Sequence, residues 1–208
     1  MRKPTMFAVS ALALAISVTS ASAQSLSSST GPTPARASAA VPGRSGFFVG
    51  GGLGAGSAGV ACDGCSSDRS NGLSGYFRIG GTINPHLRLG FESNGWIKTE
   101  NGVDEQVAFW TGALYIYPSL HNNFWLKGGA GLATARETAG EDELKSDGAA
   151  VTVGAGYDWA VGGGSFVVVP FAGYLRQLSG KAVFDGTDTG VSANANIFQF
   201  GVGLGYRH

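Results

Sequence analysis

The C-terminal stretch constrains this chain more than any other part of it. Phe198, Phe200, Val202, Leu204 and Tyr206 alternate with Gln199, Gly201, Gly203, Gly205 and Arg207. A period of two places the first set on one face of an extended strand and the second on the other. The pattern recurs upstream. Leu73, Phe77, Ile79 and Ile83 alternate with Ser74, Tyr76, Arg78, Gly80 and Thr82. Leu87, Leu89 and Phe91 alternate with Arg88, Gly90 and Glu92. Val151, Val153, Ala155, Tyr157 and Trp159 oppose Thr152, Gly154, Gly156 and Asp158. Turn signals between such runs predict eight strands, near 46–56, 73–83, 86–97, 105–117, 123–134, 149–160, 165–177 and 193–207.

The direction of the apolar face decides between two kinds of β protein. A soluble barrel packs that face inside and solvates the other with many Lys and Glu. Here the opposite faces are mostly Gly, Ser and Thr, and charged residues are only 13% of the chain. Glycine numbers 35 of 208. A narrow lumen has room for small residues and a few mutually paired charges, while lipid accepts the apolar face. Arg78, Arg88, Glu92, Lys127, Asp158 and Arg176 are the expected lumen charge network. No stretch after Gly46 approaches the ~20 consecutive apolar residues of a membrane-spanning helix. Only closure satisfies strand edges in lipid, so the expected fold is all-β: an eight-stranded antiparallel up-and-down transmembrane β-barrel.

The N-terminus reads as an export signal. Arg2 and Lys3 precede a short apolar run from Phe7 to Val18, and Ala21-Ser22-Ala23 is a small-x-small cleavage site. Cleavage is expected after Ala23. Residues 24–45 are rich in Ser, Ala, Pro and Thr and read as a flexible periplasmic linker, leaving 46–208 as the barrel.

Connection lengths alternate. Asn84-Pro85, 118–122 and 161–164 are short, whereas 57–72, 98–104, 135–148 and 178–192 are longer and polar. This rhythm puts both termini at the short-turn, periplasmic side. Every acidic residue except Glu92 and Asp158 falls in or beside a long connection. Tyr115, Tyr117, Phe124, Trp125, Tyr157, Trp159, Phe166 and Tyr206 gather near the short-turn end and read as an interfacial aromatic belt. Pro170 removes a ladder donor in mid-strand and predicts a bulge.

In strand count and loop rhythm, residues 46–208 resemble the eight-stranded outer-membrane barrel superfamily that contains the OmpA transmembrane domain and OmpX. The most specific feature is the final strand. Gln199, Gly201, Leu204 and Tyr206 match the spacing of that group's insertion signal. The match departs at the end, where Arg207 and His208 follow the last aromatic. The resemblance implies a bacterial outer-membrane location and recognition by the outer-membrane insertion machinery and periplasmic chaperones. It also implies contact with outer-membrane lipids and lipopolysaccharide. A monomer is expected.

Chemistry is weakly signalled. Some members of this group modify lipid A, which would need a nucleophile beside a positioned His. His86, His121 and His208 all lie at short-turn ends, away from the outer leaflet. No catalytic residue, cofactor or metal site is therefore expected. Cys62 and Cys65 form a C-x-x-C, read as a possible loop disulfide rather than a redox or zinc site. Equal numbers of basic and acidic residues, 14 each, argue against nucleic acid. The expected role is structural or surface-interactive, with a side-chain-filled lumen that is not a general diffusion pore. Two alternatives stand beside it: a lipid A-modifying enzyme and a soluble periplasmic ligand-binding barrel.

Overall fold

The computed structural model describes residues 44–62, 65–66, 69–162 and 164–208. The signal peptide and nearly all of the expected linker lie outside them. Eight long strands run in sequence: β1 (Phe47–Cys62), β2 (Ser70–Asn84), β3 (Leu87–Glu100), β4 (Val103–Ile116), β5 (Phe124–Ala139), β6 (Asp142–Tyr157), β7 (Phe166–Gln177) and β8 (Thr187–Arg207). Each pairs antiparallel with its neighbour. β1 pairs with β8 from Phe48↔Arg207 to Cys62↔Ala193, which closes the sheet on itself. Three short segments extend this frame. Cys65–Ser66 folds back on β1, Trp159–Val161 prolongs β6 against β7, and Lys181–Phe184 prolongs β7 between β6 and β8. The chain is thus an eight-stranded antiparallel up-and-down barrel.

The apolar faces point outward. Leu204 is 70% exposed, Leu53 67% and Val202 57%, while their neighbours Gln199 and Arg207 are buried. Leu73, Phe77, Ile79, Leu89, Phe91, Leu126, Val153 and Phe200 extend the same exposed band around the barrel. Such a continuous apolar exterior would be unstable in water, and lipid is the solvent that matches it.

Three connections expected to be long are tight instead. At Asn101-Gly102 the φ angles are 52° and 80°, and at Asp185-Gly186 they are 46° and 79°. Successive left-handed residues make turns whose twist matches antiparallel strands. The strands therefore continue into the charged segments. β3 reaches Glu100, β5 reaches Ala139 and β8 begins at Thr187. Their 14 to 21 residues exceed the ~9–11 that cross a bilayer, so hairpins project beyond the apolar band.

Pro170 makes no bulge. It pairs in register with Val202 on β8. The irregularity sits on the other neighbour, where the β6–β7 ladder stops at Gly156↔Phe171 and resumes at Trp159↔Val168. Pro170 has no N–H to offer there. Asp158 lies in that gap, and its N–H donates to the Asn123 carbonyl at 3.0 Å, continuing the β5–β6 pairing.

Glycine supplies space at the β1–β8 seam. Cβ atoms on Gly52 and Gly203 would lie 2.6 Å and 2.5 Å from the Tyr76 side chain, so that ring rests on backbone. Inward side chains form two apolar clusters. One, toward the short turns, contains Phe48, Tyr76, Tyr115, Tyr117, Trp125 and Phe171. The other, toward the hairpins, contains Ala58, Trp96, Val107, Phe109, Leu175 and Ile197.

Candidate functional site

The short-turn half of the lumen holds a charge network built on strand alternation. β2 and β3 run antiparallel with Arg78 opposite Glu92 and Thr82 opposite Arg88, so all three charges share the inner face. Lys127 faces Tyr115 across β4 and β5. Asp158 turns inward at the β6 break. It meets Arg78 at 3.2 Å through Nη2 and Arg88 at 3.3 Å through Nη1. The Tyr117 hydroxyl donates to its Oδ2 at 2.8 Å, and the Trp125 Nε1–H donates to its Oδ1 at 2.9 Å. One carboxylate thus binds four donors.

A second centre sits nearer the middle. Glu92 pairs with Lys127 and accepts from the Tyr115 hydroxyl at 2.6 Å and from Asn94 Nδ2 at 2.7 Å. Gln199 Nε2 donates to Asn94 Oδ1 at 2.7 Å, which ties β8 into the group. Arg78 also lies 5.1 Å from the Trp125 ring centre, and Arg88 lies 5.0 Å from that of Tyr117. Buried charges need this degree of pairing, because a lone ion in so dry a place would be costly.

Five of the six expected lumen charges therefore come together. Arg176 does not. It is exposed on the outer face, between inward Leu175 and Gln177. β7 is apolar on both faces around Val167, Val168 and Val169, so composition does not reveal its inner parity. The aromatic belt also needs correcting. Phe124, Tyr157, Trp159 and Phe166 are exposed outside, but Tyr115, Tyr117 and Trp125 are buried inside as network donors. Arg44, read as the end of the linker, is buried too. Its guanidinium donates to the carbonyls of Ser119 at 2.8 Å and Asn122, and lies 4.6 Å from the Tyr117 ring centre. Composition around Arg44 carried no hint of this.

The insertion-signal residues divide by face. Gln199 is buried and Gly201 packs against the Leu53 carbonyl, while Leu204 is exposed to the outside. Tyr206 stacks edge-on with Phe166, ring centres 5.3 Å apart. Backbone pairing sets Cys62 directly opposite Cys65, but their side chains, and with them the expected disulfide, lie outside the described residues. His86 Nδ1 is hydrogen-bonded to the Tyr117 carbonyl oxygen at 2.8 Å, and the His208 ring stands beside Phe47. His121 is exposed in the β4–β5 turn. No cluster of three or more His, Cys, Asp or Glu suited to a metal occurs among the described residues.

An apolar outer face around a polar, paired interior defines a small barrel of the outer-membrane type. Solved structures agree on the fold. Neisserial surface protein A superposes with a TM-score of 0.52 at 17% identity, covering 79% of this chain and 98% of that one. Ail, the attachment invasion locus protein of Yersinia pestis, superposes at 0.50 and 17% identity, covering 79% and 99%. No family model matches the chain, and no curated protein matches it in sequence.

Proposed function

We propose that this protein is an outer-membrane barrel with a structural or surface-interaction role and a lumen plugged by its own side chains. The observation that carries the reading is the outward apolar band around an interior where Asp158 and Glu92 each gather several buried donors. A water-filled channel would leave such charges hydrated. Here Trp96, Phe109, Leu175 and Ile197 lie beyond them and are 0–1% exposed. In this reading the short turns face the periplasm and the charged hairpins face outward. The names of the two similar barrels, a surface protein and an attachment and invasion protein, support a surface role. Gln199, Gly201, Leu204 and Tyr206 would present the final strand to the insertion machinery after delivery by periplasmic chaperones. Outer-membrane lipids and lipopolysaccharide would surround a monomer, and the signal peptide would be removed after Ala23.

The test combines fractionation with conductance. The protein should sediment with outer membranes, resist extraction by alkaline carbonate and migrate differently on a denaturing gel before and after boiling. In planar bilayers it should give no sustained open-channel current. Recovery in the soluble periplasm would end the membrane reading. A stable conductance would end the plugged-lumen reading.

A further inference from the structure

The hairpin end of the barrel is hollow. A cavity of about 270 Å³ opens there, above the buried floor formed by Trp96 and Val107. Its walls carry Ala58, Ala135, Ala193 and Ala195. Small side chains thus stand where larger aliphatic ones would have filled the mouth. Polar groups near the floor are already engaged within the protein. Trp96 Nε1 donates to the Gly56 carbonyl at 3.0 Å, and the Ser146 hydroxyl donates to the Ala193 carbonyl at 2.7 Å. Water holds a cavity well only where it finds two to four polar partners. This floor provides few, so water in it is readily displaced by an apolar group. A dry cavity of roughly 150 Å³ admits one benzene, so this one has room for about two fused rings.

The rim adds a preference of charge. Glu105 on β4 and Glu137 on β5 are direct register partners, and both line the cavity. Like charges directly opposite each other repel. Among the described residues neither carboxylate forms an ion pair, whereas the two cations that also line the cavity, Arg136 and Lys145, do. Arg136 pairs with Glu143 at 3.4 Å, and Lys145 pairs with Asp147 at 2.8 Å. Hydrogen bonding from Lys145 holds the Asp147 carboxyl below its usual range. Lys98, across from Glu105, bonds to Glu100 and donates to the Ser70 hydroxyl at 2.9 Å. A positive group entering between Glu105 and Glu137 would relieve their repulsion, and a negative one would add to it.

We propose that this mouth is a binding site for small apolar amines, with the apolar body on the alanine floor and the ammonium between Glu105 and Glu137. The site is separate from the charge network at the other end of the lumen and goes beyond the structural role.

The test uses three fluorescent probes of one shape: naphthylmethylammonium, naphthylmethanol and naphthoate. Each is titrated against the protein in lipid nanodiscs, with empty nanodiscs as reference. The ammonium should bind saturably and roughly tenfold tighter than the alcohol, with the carboxylate weakest. In the A135L/A193L variant, which fills the mouth from two half-buried positions, saturation should vanish. In E105Q/E137Q, which leaves the cavity open, the alcohol should bind as before and the ammonium advantage should disappear. Unchanged heat-modifiable migration shows that each variant is folded. Absence of saturable binding to the parent protein overturns the proposal, as does unchanged binding to folded A135L/A193L. Carboxylate binding as tight as ammonium binding, or an ammonium advantage that survives E105Q/E137Q, also overturns it.

Discussion

The two halves of the lumen are filled by different chemistry within one cylinder. Toward the short turns, Asp158 and Glu92 organise three cations and a set of aromatic hydroxyl, indole and amide donors. Toward the hairpins, Trp96, Phe109, Leu175 and Ile197 pack among alanines with no ion pair between them. The polar half is specified by direction, because each donor must meet its acceptor. The apolar half is specified by volume, and where volume runs short it opens into the mouth cavity. Removing one member therefore leaves different debris: an unpaired charge below, a void above.

That contrast predicts a ranking, read by urea unfolding of the protein refolded into lipid vesicles. Asp158→Asn takes the counter-ion from Arg78 and Arg88 and should cost about 3–5 kcal/mol. A cost below about 1 kcal/mol would break the distinction, since the lower half would then tolerate an orphaned charge. Leu175→Ala leaves a void in the upper half and should cost about 2–4 kcal/mol. Arg44→Ala removes hydrogen bonds that tie the chain before β1 to the β4–β5 turn, and about 1–2 kcal/mol is expected. Arg176→Gln should change stability by no more than about 0.5 kcal/mol, because Arg176 lies outside both halves. A loss as large as that of Arg44→Ala would return it to the network.

The fold was legible because alternation survives wherever one face meets lipid. β2, β3 and β8 show it cleanly, and their inner and outer sets stand as read. The acidic residues were equally informative. Among the described residues, ten of the 12 acidic ones cluster toward the hairpins, and the other two, Glu92 and Asp158, are the anions of the lumen. Legibility failed where both faces are bulky. Phe109 and Trp110 are adjacent on β4, so the parity that turns Tyr115 and Tyr117 inward stayed hidden. The same ambiguity misplaced Arg176 on β7. Asn101-Gly102 and Asp185-Gly186 are strong hairpin signals, but the polar residues around them read as loops rather than as strands rising above the apolar band. The mouth cavity had no local signature, since its alanines come from strands distant in sequence.

The tryptophans offer the most direct test of which face meets lipid. Trp110 and Trp159 are exposed on the outside, 42% and 67%, whereas Trp96 and Trp125 are buried in the lumen at 1% and 2%. Four variants, each retaining one tryptophan, can be reconstituted in bilayers containing lipids brominated on their acyl chains. Quenching requires near contact with the bromine. Strong quenching of Trp110, with Trp96 and Trp125 spared and Trp159 quenched by bromine placed near the headgroup, is the predicted result. Lipid quenching of Trp96 and Trp125 with Trp110 spared would mean that the apolar faces enclose a core, and would contradict the barrel's orientation.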